Sequence, residues 1–159
     1  MYARDHALIA TPIGKIRLEG DEAGLTAIRI GYEGTASPGC TAVVRSAAEQ
    51  LAAWFARERE TFDIVLAPAG TPRGEALRAG LIAVGYGETL SYGALARKLG
   101  SSPRAIGQLC ARNPFPIVVP CHRVLGSGGA LGHYSGGNGP KTKSWLLEHE
   151  RRQSKGMLL

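Results

Sequence analysis

Cysteine is scarce in this chain, with three in 159 residues, at Cys40, Cys110 and Cys121. The number is odd and the spacing wide, with no CxxC pair, so a disulfide framework is excluded. The composition suits a reducing compartment in which a free thiol survives. Histidine is nearly as sparse, at His6, His122, His133 and His149. None of these sits in an HExxH or paired spacing, so neither a metal site nor a cofactor is expected. No apolar run approaches the ~20 residues of a membrane span, and the start, Met1-Tyr2-Ala3-Arg4-Asp5-His6, lacks an apolar signal core. A cytoplasmic location is the expectation. No GxxxxGK[ST] is present, which excludes a P-loop.

Hydrophobic residues make up 44% and charged residues 20% of the chain, the balance of a soluble globular protein. Its length suits one ordinary domain or two small ones. The net charge is +6, which alone is weak evidence for a nucleic-acid partner; where the charge sits decides more.

The first third reads as short strands joined by tight turns: His6 to Ala10, Lys15 to Glu19 and Leu25 to Ile30. An antiparallel meander is the simplest arrangement. Val44, Ala47, Ala48, Leu51 and Phe55 then recur at helical spacing, predicting a helix from about Thr41 to Arg57. Phe62 to Ala67 fits either a strand or an extended linker. Pro68-Ala69-Gly70-Thr71-Pro72 marks a boundary, giving a supporting domain over 1–68 and a second domain over 69–159. The fold class expected is α+β: a small sheet-and-helix domain followed by a helical one.

In the second domain Thr71 caps a helix with Pro72 at its first position. Ser91 caps another, with Tyr92, Leu95, Ala96 and Leu99 on one face and Gly100 as its stop. Ser102 caps a third, with Pro103 at its first position, running to about Arg112 before Asn113-Pro114. Helix, short glycine turn, helix is the helix-turn-helix pattern. On the third helix Ile106, Leu109 and Cys110 share one arc; Arg104, Ala105, Gly107, Gln108, Ala111 and Arg112 share the other. That second arc combines two arginines with side chains too small to hold a partner away. Glycine inside a helix costs about 1 kcal/mol relative to alanine, which close approach of another surface would explain. Such patterns occur outside DNA-binding proteins too, so alone this one leaves the question open.

The run Pro116-Ile117-Val118-Val119-Pro120-Cys121-His122-Arg123-Val124 predicts a buried strand that delivers a thiol, with a histidine directly behind it. A free thiol, with a pKa of about 8.5, is only a few per cent ionised at neutral pH, so a nearby base is what a nucleophilic cysteine needs. Taken by itself, Cys121 could equally be a small core residue. The stretch that follows, Gly126 to Gly139, holds seven glycines around Tyr134. It fits a flexible hairpin, or better a pocket wall whose backbone approaches a flat ligand.

Taken together, Pro120-Cys121-His122-Arg123-Val124, Asn113-Pro114, Arg104-Ala105-Ile106-Gly107, Tyr86 to Gly93, His133 to Gly137 and Lys143 to Glu150 resemble the O6-alkylguanine-DNA alkyltransferases. The likeness spans Gly70 to Glu150. It implies stoichiometric transfer of an alkyl group from O6-alkylguanine in double-stranded DNA to Cys121, by a self-inactivating, monomeric repair protein that needs no cofactor. It further implies that His122 is the base, acting through a water, that Glu150 orients it and that Asn113 braces the turns. Arg104 would fill the space of an extruded base, with Ala105, Gly107, Gln108 and Arg112 on the DNA face. Tyr92 would assist nucleotide rotation and protonate the departing guanine, while Val124, Tyr134 and Ser135 would line the guanine pocket. The resemblance implies a minor-groove approach. Departures from the family pattern are Arg73-Gly74 and Leu77-Arg78 in place of aromatic and Val-Trp pairs, Gly85 in place of proline, and a longer loop before Lys143. Rival readings are a lesion-binding module, which would lack the acceptor cysteine, a Cys-His hydrolase, and a helix-turn-helix regulator with an incidental cysteine.

Overall fold

The computed structural model describes residues 3–154. The chain divides into two compact units, Met1–Ala67 and Pro68–Leu159. In the first, β1 (Asp5–Thr11), β2 (Gly14–Asp21) and β3 (Gly24–Ile30) form an antiparallel sheet in the order β1-β2-β3. Alternation along β2 sends Ile16 and Leu18 to one face, where both are fully buried. Helix α1 (Ala42–Phe55) packs against this sheet through Val44, Ala47, Ala48, Leu51 and Trp54. The segment 62–67 is extended and joins β3 by a single parallel bridge, Leu25 with Leu66.

The start of α1 is tied to the start of β1 by one carboxylate. Asp5 Oδ2 accepts from the backbone N–H of Cys40 (2.8 Å) and of Thr41 (2.7 Å), and from Thr41 Oγ1 (3.0 Å). Thr41 in turn caps the helix by accepting from the Val44 N–H. Burial works against the Asp5 charge, but these donors together hold its pKa below the ordinary carboxylate value.

The second unit contains α2 (Pro72–Ile82), α3 (Tyr92–Lys98), α4 (Pro103–Ala111) and α5 (Pro140–Ser154). Thr71, Ser91 and Ser102 cap the first three, each accepting from the N–H three residues on. Helix α3 stops because Gly100 takes a φ of 62°, which lets the Ser101 N–H reach the Ala96 carbonyl at 2.8 Å. The turn between α3 and α4 is therefore short, and the pair forms a helix-turn-helix. Two residues of β4 (Leu90–Ser91) pair in parallel with β5 (Val124–Leu125). This clip fixes the segment after the thiol turn beside the first residue of α3.

The β-branched run before Cys121 does not form the strand its composition predicts. Residues 116–119 are a tight turn in which the Val119 N–H bonds the Phe115 carbonyl at 2.9 Å. Pro114, Pro116 and Pro120 bring no N–H to a ladder. Asn113 supplies the alternative, accepting from the Phe115 N–H (2.9 Å) and donating Nδ2 to the Val119 carbonyl (2.8 Å). Ile117 is held at a φ of +76°, a costly conformation for a β-branched residue. Among the departures from the family pattern, Arg78 lies over the Phe115 ring at 5.3 Å and Arg73 donates to the Gly100 carbonyl at 3.1 Å.

Asp5→Ala removes four hydrogen bonds to one carboxylate, the fourth being from the His6 N–H to Oδ1 at 2.8 Å, and should lower stability by about 1–2 kcal/mol. Urea unfolding followed by circular dichroism checks this; an unchanged midpoint contradicts the role given to Asp5.

Candidate active site

A single turn of 3-10 helix, Cys121–Arg123, carries three consecutive side chains that are all buried: Cys121 at 4% exposure, His122 at 0% and Arg123 at 6%. They diverge. Cys121 faces a cavity, while His122 and Arg123 converge on Glu150 of α5. The turn enters from the Asn113 brace, whose Nδ2 also lies 3.3 Å from Cys121 Sγ. The strained 116–119 turn and the thiol are thus held by the same amide.

Glu150 is 1% exposed. Its Oε2 lies 2.8 Å from His122 Nε2 and accepts from an Arg123 terminal nitrogen at 2.7 Å, while its Oε1 accepts from Arg123 Nε at 2.9 Å. The Gly87 N–H approaches Oε1 at 3.4 Å. Arg123 uses its other terminal nitrogen on the Val84 carbonyl, at 2.6 Å. Burial alone would raise the Glu150 pKa, but the His122 and Arg123 contacts outweigh it and hold the carboxyl at about 2. Glu150 is therefore ionised at neutral pH. Burial pulls the His122 pKa down against the opposing pull of Glu150, so the imidazole is neutral and able to accept a proton.

The cavity in front of Cys121 has a volume of about 150 Å³. Tyr92, His133, Tyr134 and Ser135 wall it together with Cys110 and Cys121, and Gly107 and Ala111 of α4 complete the lining. The pocket is thus built directly against the helix-turn-helix. The Cys110 thiol is a neighbour of Cys121 in this cavity. That neighbour and then burial push the Cys121 thiol up, while the Asn113 amide and the Lys143 ammonium oppose them. Cys110 is drawn down by its pairing with Cys121. Lys143, fully buried, donates to the Val124 carbonyl at 2.7 Å and lies 5.9 Å from the centre of the Tyr92 ring. Burial, followed by the charge of the two sulfurs, raises the pKa of Tyr92, so its phenol keeps its proton.

The structure brings Cys121, Tyr92, Tyr134, Ser135 and Gly107 to one cavity, with Asn113 on the thiol and the His122–Glu150 pair behind it. Val124 is fully buried in β5 and is not among the residues lining that cavity. Arg104 is exposed on the first turn of α4. Ala105, Gln108 and Arg112 lie on a separate groove of about 510 Å³ between α4 and α2. Sequence reasoning misses Arg123, Lys143 and Cys110 as parts of the site. For Arg123 the signal was its place in the thiol turn; for Lys143 none existed, because its burial depends on distant elements. Cys110 fell on the inner arc of α4, but its sequence position says nothing of what faces it.

A helix-turn-helix forms one wall of a pocket containing a buried thiol, an arrangement that fits a DNA-binding protein with its reactive group beside the binding helix. Comparison with known proteins agrees. The family model described as "6-O-methylguanine DNA methyltransferase, DNA binding domain" matches residues 75–152. A methylated-DNA--protein-cysteine methyltransferase of Methanosarcina acetivorans is 39% identical, over 91% of this chain and 97% of its own. A protein of the same name from Mycolicibacterium paratuberculosis is 38% identical, over 97% and 96% respectively. The crystal structure of Mycobacterium tuberculosis OGT in complex with DNA superposes with a TM-score of 0.79 at 37% identity, covering 93% of each chain. The chain belongs to the 6-O-methylguanine DNA methyltransferase family, and its partner is DNA.

Glu150→Gln leaves the Arg123 guanidinium buried without its counter-charge and should destabilise the fold by about 3 kcal/mol or more at neutral pH. The folded-state pKa of Glu150 is depressed from 4.5 to about 2, so its contribution is present above the ordinary glutamate value and is lost as pH falls through that interval. Unfolding measured between neutral and acid pH should show that loss in the native chain and a weaker one in Glu150→Gln. Parallel acid profiles contradict the assignment.

Proposed function

We propose that this chain repairs double-stranded DNA by moving an alkyl group from O6-alkylguanine to Cys121, once per molecule. The observation that carries the reading is the placing of the Cys121 thiol in a pocket whose opposite wall is the second helix of the helix-turn-helix. The target atom lies inside a duplex, so the nucleotide must be extruded to reach such a thiol, at a cost of a few kcal/mol in unstacking. Arg104, exposed at the start of α4, fills the vacated space. A Cβ built at Gly107 meets nothing of this chain within 4 Å. No internal packing therefore asks for glycine there, which supports close approach of the DNA backbone to α4. Approach is from the minor groove, with Ala105, Gln108 and Arg112 contacting DNA beside Gly107. Residues 69–159 carry this activity and residues 1–68 support them. The protein acts as a monomer in the cytoplasm.

In the reaction His122, oriented by Glu150, takes the Cys121 proton through a water. The thiolate attacks the saturated alkyl carbon; an S–C bond forms as the C–O bond breaks, and the electron pair goes to the guanine. Tyr92 is suited to supply a proton to the departing base, since its phenol stays protonated in this pocket. Tyr134 and Ser135 hold the base. The product is a thioether without a carbonyl for water to attack, so the thiol is not regenerated. A Cys-His hydrolase would form an acyl-cysteine instead and turn over.

Titrating excess methylated duplex into the protein should give one methyl group per chain, on the peptide containing Cys121, and then no further product. Sustained turnover with unmodified Cys121 overturns the reading. Arg104→Ala should slow repair of duplex by about tenfold, an effect of 1.4 kcal/mol on the barrier, while leaving the reaction with free alkylguanine base within about twofold. Equal losses on both substrates would remove Arg104 from the extrusion step.

A further inference from the structure

The acceptor is not the only thiol in its pocket. Cys110, on the last full turn of α4, lines the same cavity of about 150 Å³ as Cys121. One residue positions both. The Asn113 backbone N–H bonds the Cys110 carbonyl at 3.3 Å, and its side-chain Nδ2 reaches Cys121 Sγ at 3.3 Å. Cys121 itself is 4% exposed, so a reagent must enter the cavity to reach it. A water occupies about 30 Å³ of liquid, so a cavity of this size admits hydrogen peroxide.

We propose that Cys110 and Cys121 form a modification site at which a small hydroperoxide closes a reversible disulfide. The first thiolate attacks a peroxide oxygen: an S–O bond forms, the O–O bond breaks, and hydroxide leaves to become water. The second thiolate then attacks the sulfenic sulfur, forming S–S and breaking S–O, with a second water released. Two thiols lose two electrons and two protons, and hydrogen peroxide is reduced to two waters. A sulfenic acid formed without a neighbouring thiol continues to sulfinic acid, which ordinary reductants do not reverse. Cys110 therefore keeps the Cys121 thiol recoverable, while the disulfide withholds it from any electrophile in the pocket. The disulfide chemistry stands on the cavity alone; its consequence for alkyl transfer rests on the reading of Cys121 as acceptor.

The test uses the full chain in a Cys40→Ser background, which removes the exposed third thiol. Reduced protein is treated with hydrogen peroxide without DNA, then examined by intact mass and peptide mapping. The expected result is a loss of two hydrogens and a linked Cys110–Cys121 peptide, both reversed by dithiothreitol. Cys110→Ala and Cys110→Ser, each compared with its own untreated rate, should recover about a tenth or less of alkyl transfer after oxidation and reduction, against roughly half or more with Cys110 present. Absence of the linked peptide overturns the proposal, as does recovery in both Cys110 variants equal to that with Cys110 present. The mass readout needs no repair reaction, so a protein that forms the disulfide yet transfers no alkyl group contradicts the repair reading and leaves the thiol pair standing.

Discussion

One buried carboxylate organises the catalytic unit. Glu150 is sequestered from water and still charged, because His122 and Arg123 both contact it. A lone carboxylate there would cost several kcal/mol. Paired in this way it ties α5 to the thiol turn and, through Arg123 and the Val84 carbonyl, to the end of α2. The Gly87 N–H adds the segment leading into α3. A well-packed apolar cluster could supply comparable stability. What the ion pair adds is direction: it turns the imidazole and guanidinium of adjacent residues to one side, leaving Cys121 facing the pocket.

The second constraint is Asn113, which acts at the other side of the turn. Its amide satisfies a chain that three prolines keep from forming a ladder, and the same amide touches the sulfur. The positive φ of Ile117 is stored strain in this connection. It persists because the Asn113 bonds and the buried Phe115, Val118 and Val119 side chains over-determine the path. Loop strain and buried charge together hold the thiol in a cavity walled by α4, the second helix of the helix-turn-helix.

Much of this was legible in residues whose partners are close in sequence. Thr71, Ser91 and Ser102 with the prolines at 72 and 103 mark the helix starts, and Gly100 marks the turn between α3 and α4, because caps and stops act within a few residues. The meander is equally local. The family resemblance implies which distant residues come together, Asn113, Cys121-His122 and Glu150, and the structure places Asn113 on the thiol and His122 on Glu150. The strand expected over 116–119 fails because β propensity describes side chains on a paired backbone, and here the proline-interrupted backbone has no pairing to make. Arg123, Lys143 and Cys110 escape for another reason. A buried Lys143 bonded to the Val124 carbonyl reads in sequence like any solvated lysine near a helix start, until distant elements close over it. The short β4–β5 clip carries too few residues to give a pattern at all.

The central claim is that charged Glu150 makes His122 a competent base for Cys121. It is tested most directly by the rate of methyl transfer from methylated duplex to the native chain and to Glu150→Gln, followed from slightly acid to alkaline pH on folded protein. A base matters most where the thiol is least ionised, so the native-to-variant rate ratio should be largest near neutral pH and shrink toward alkaline pH, where hydroxide supplies the thiolate. A ratio that stays constant across the range, or a variant as fast as the native chain at neutral pH, contradicts the account.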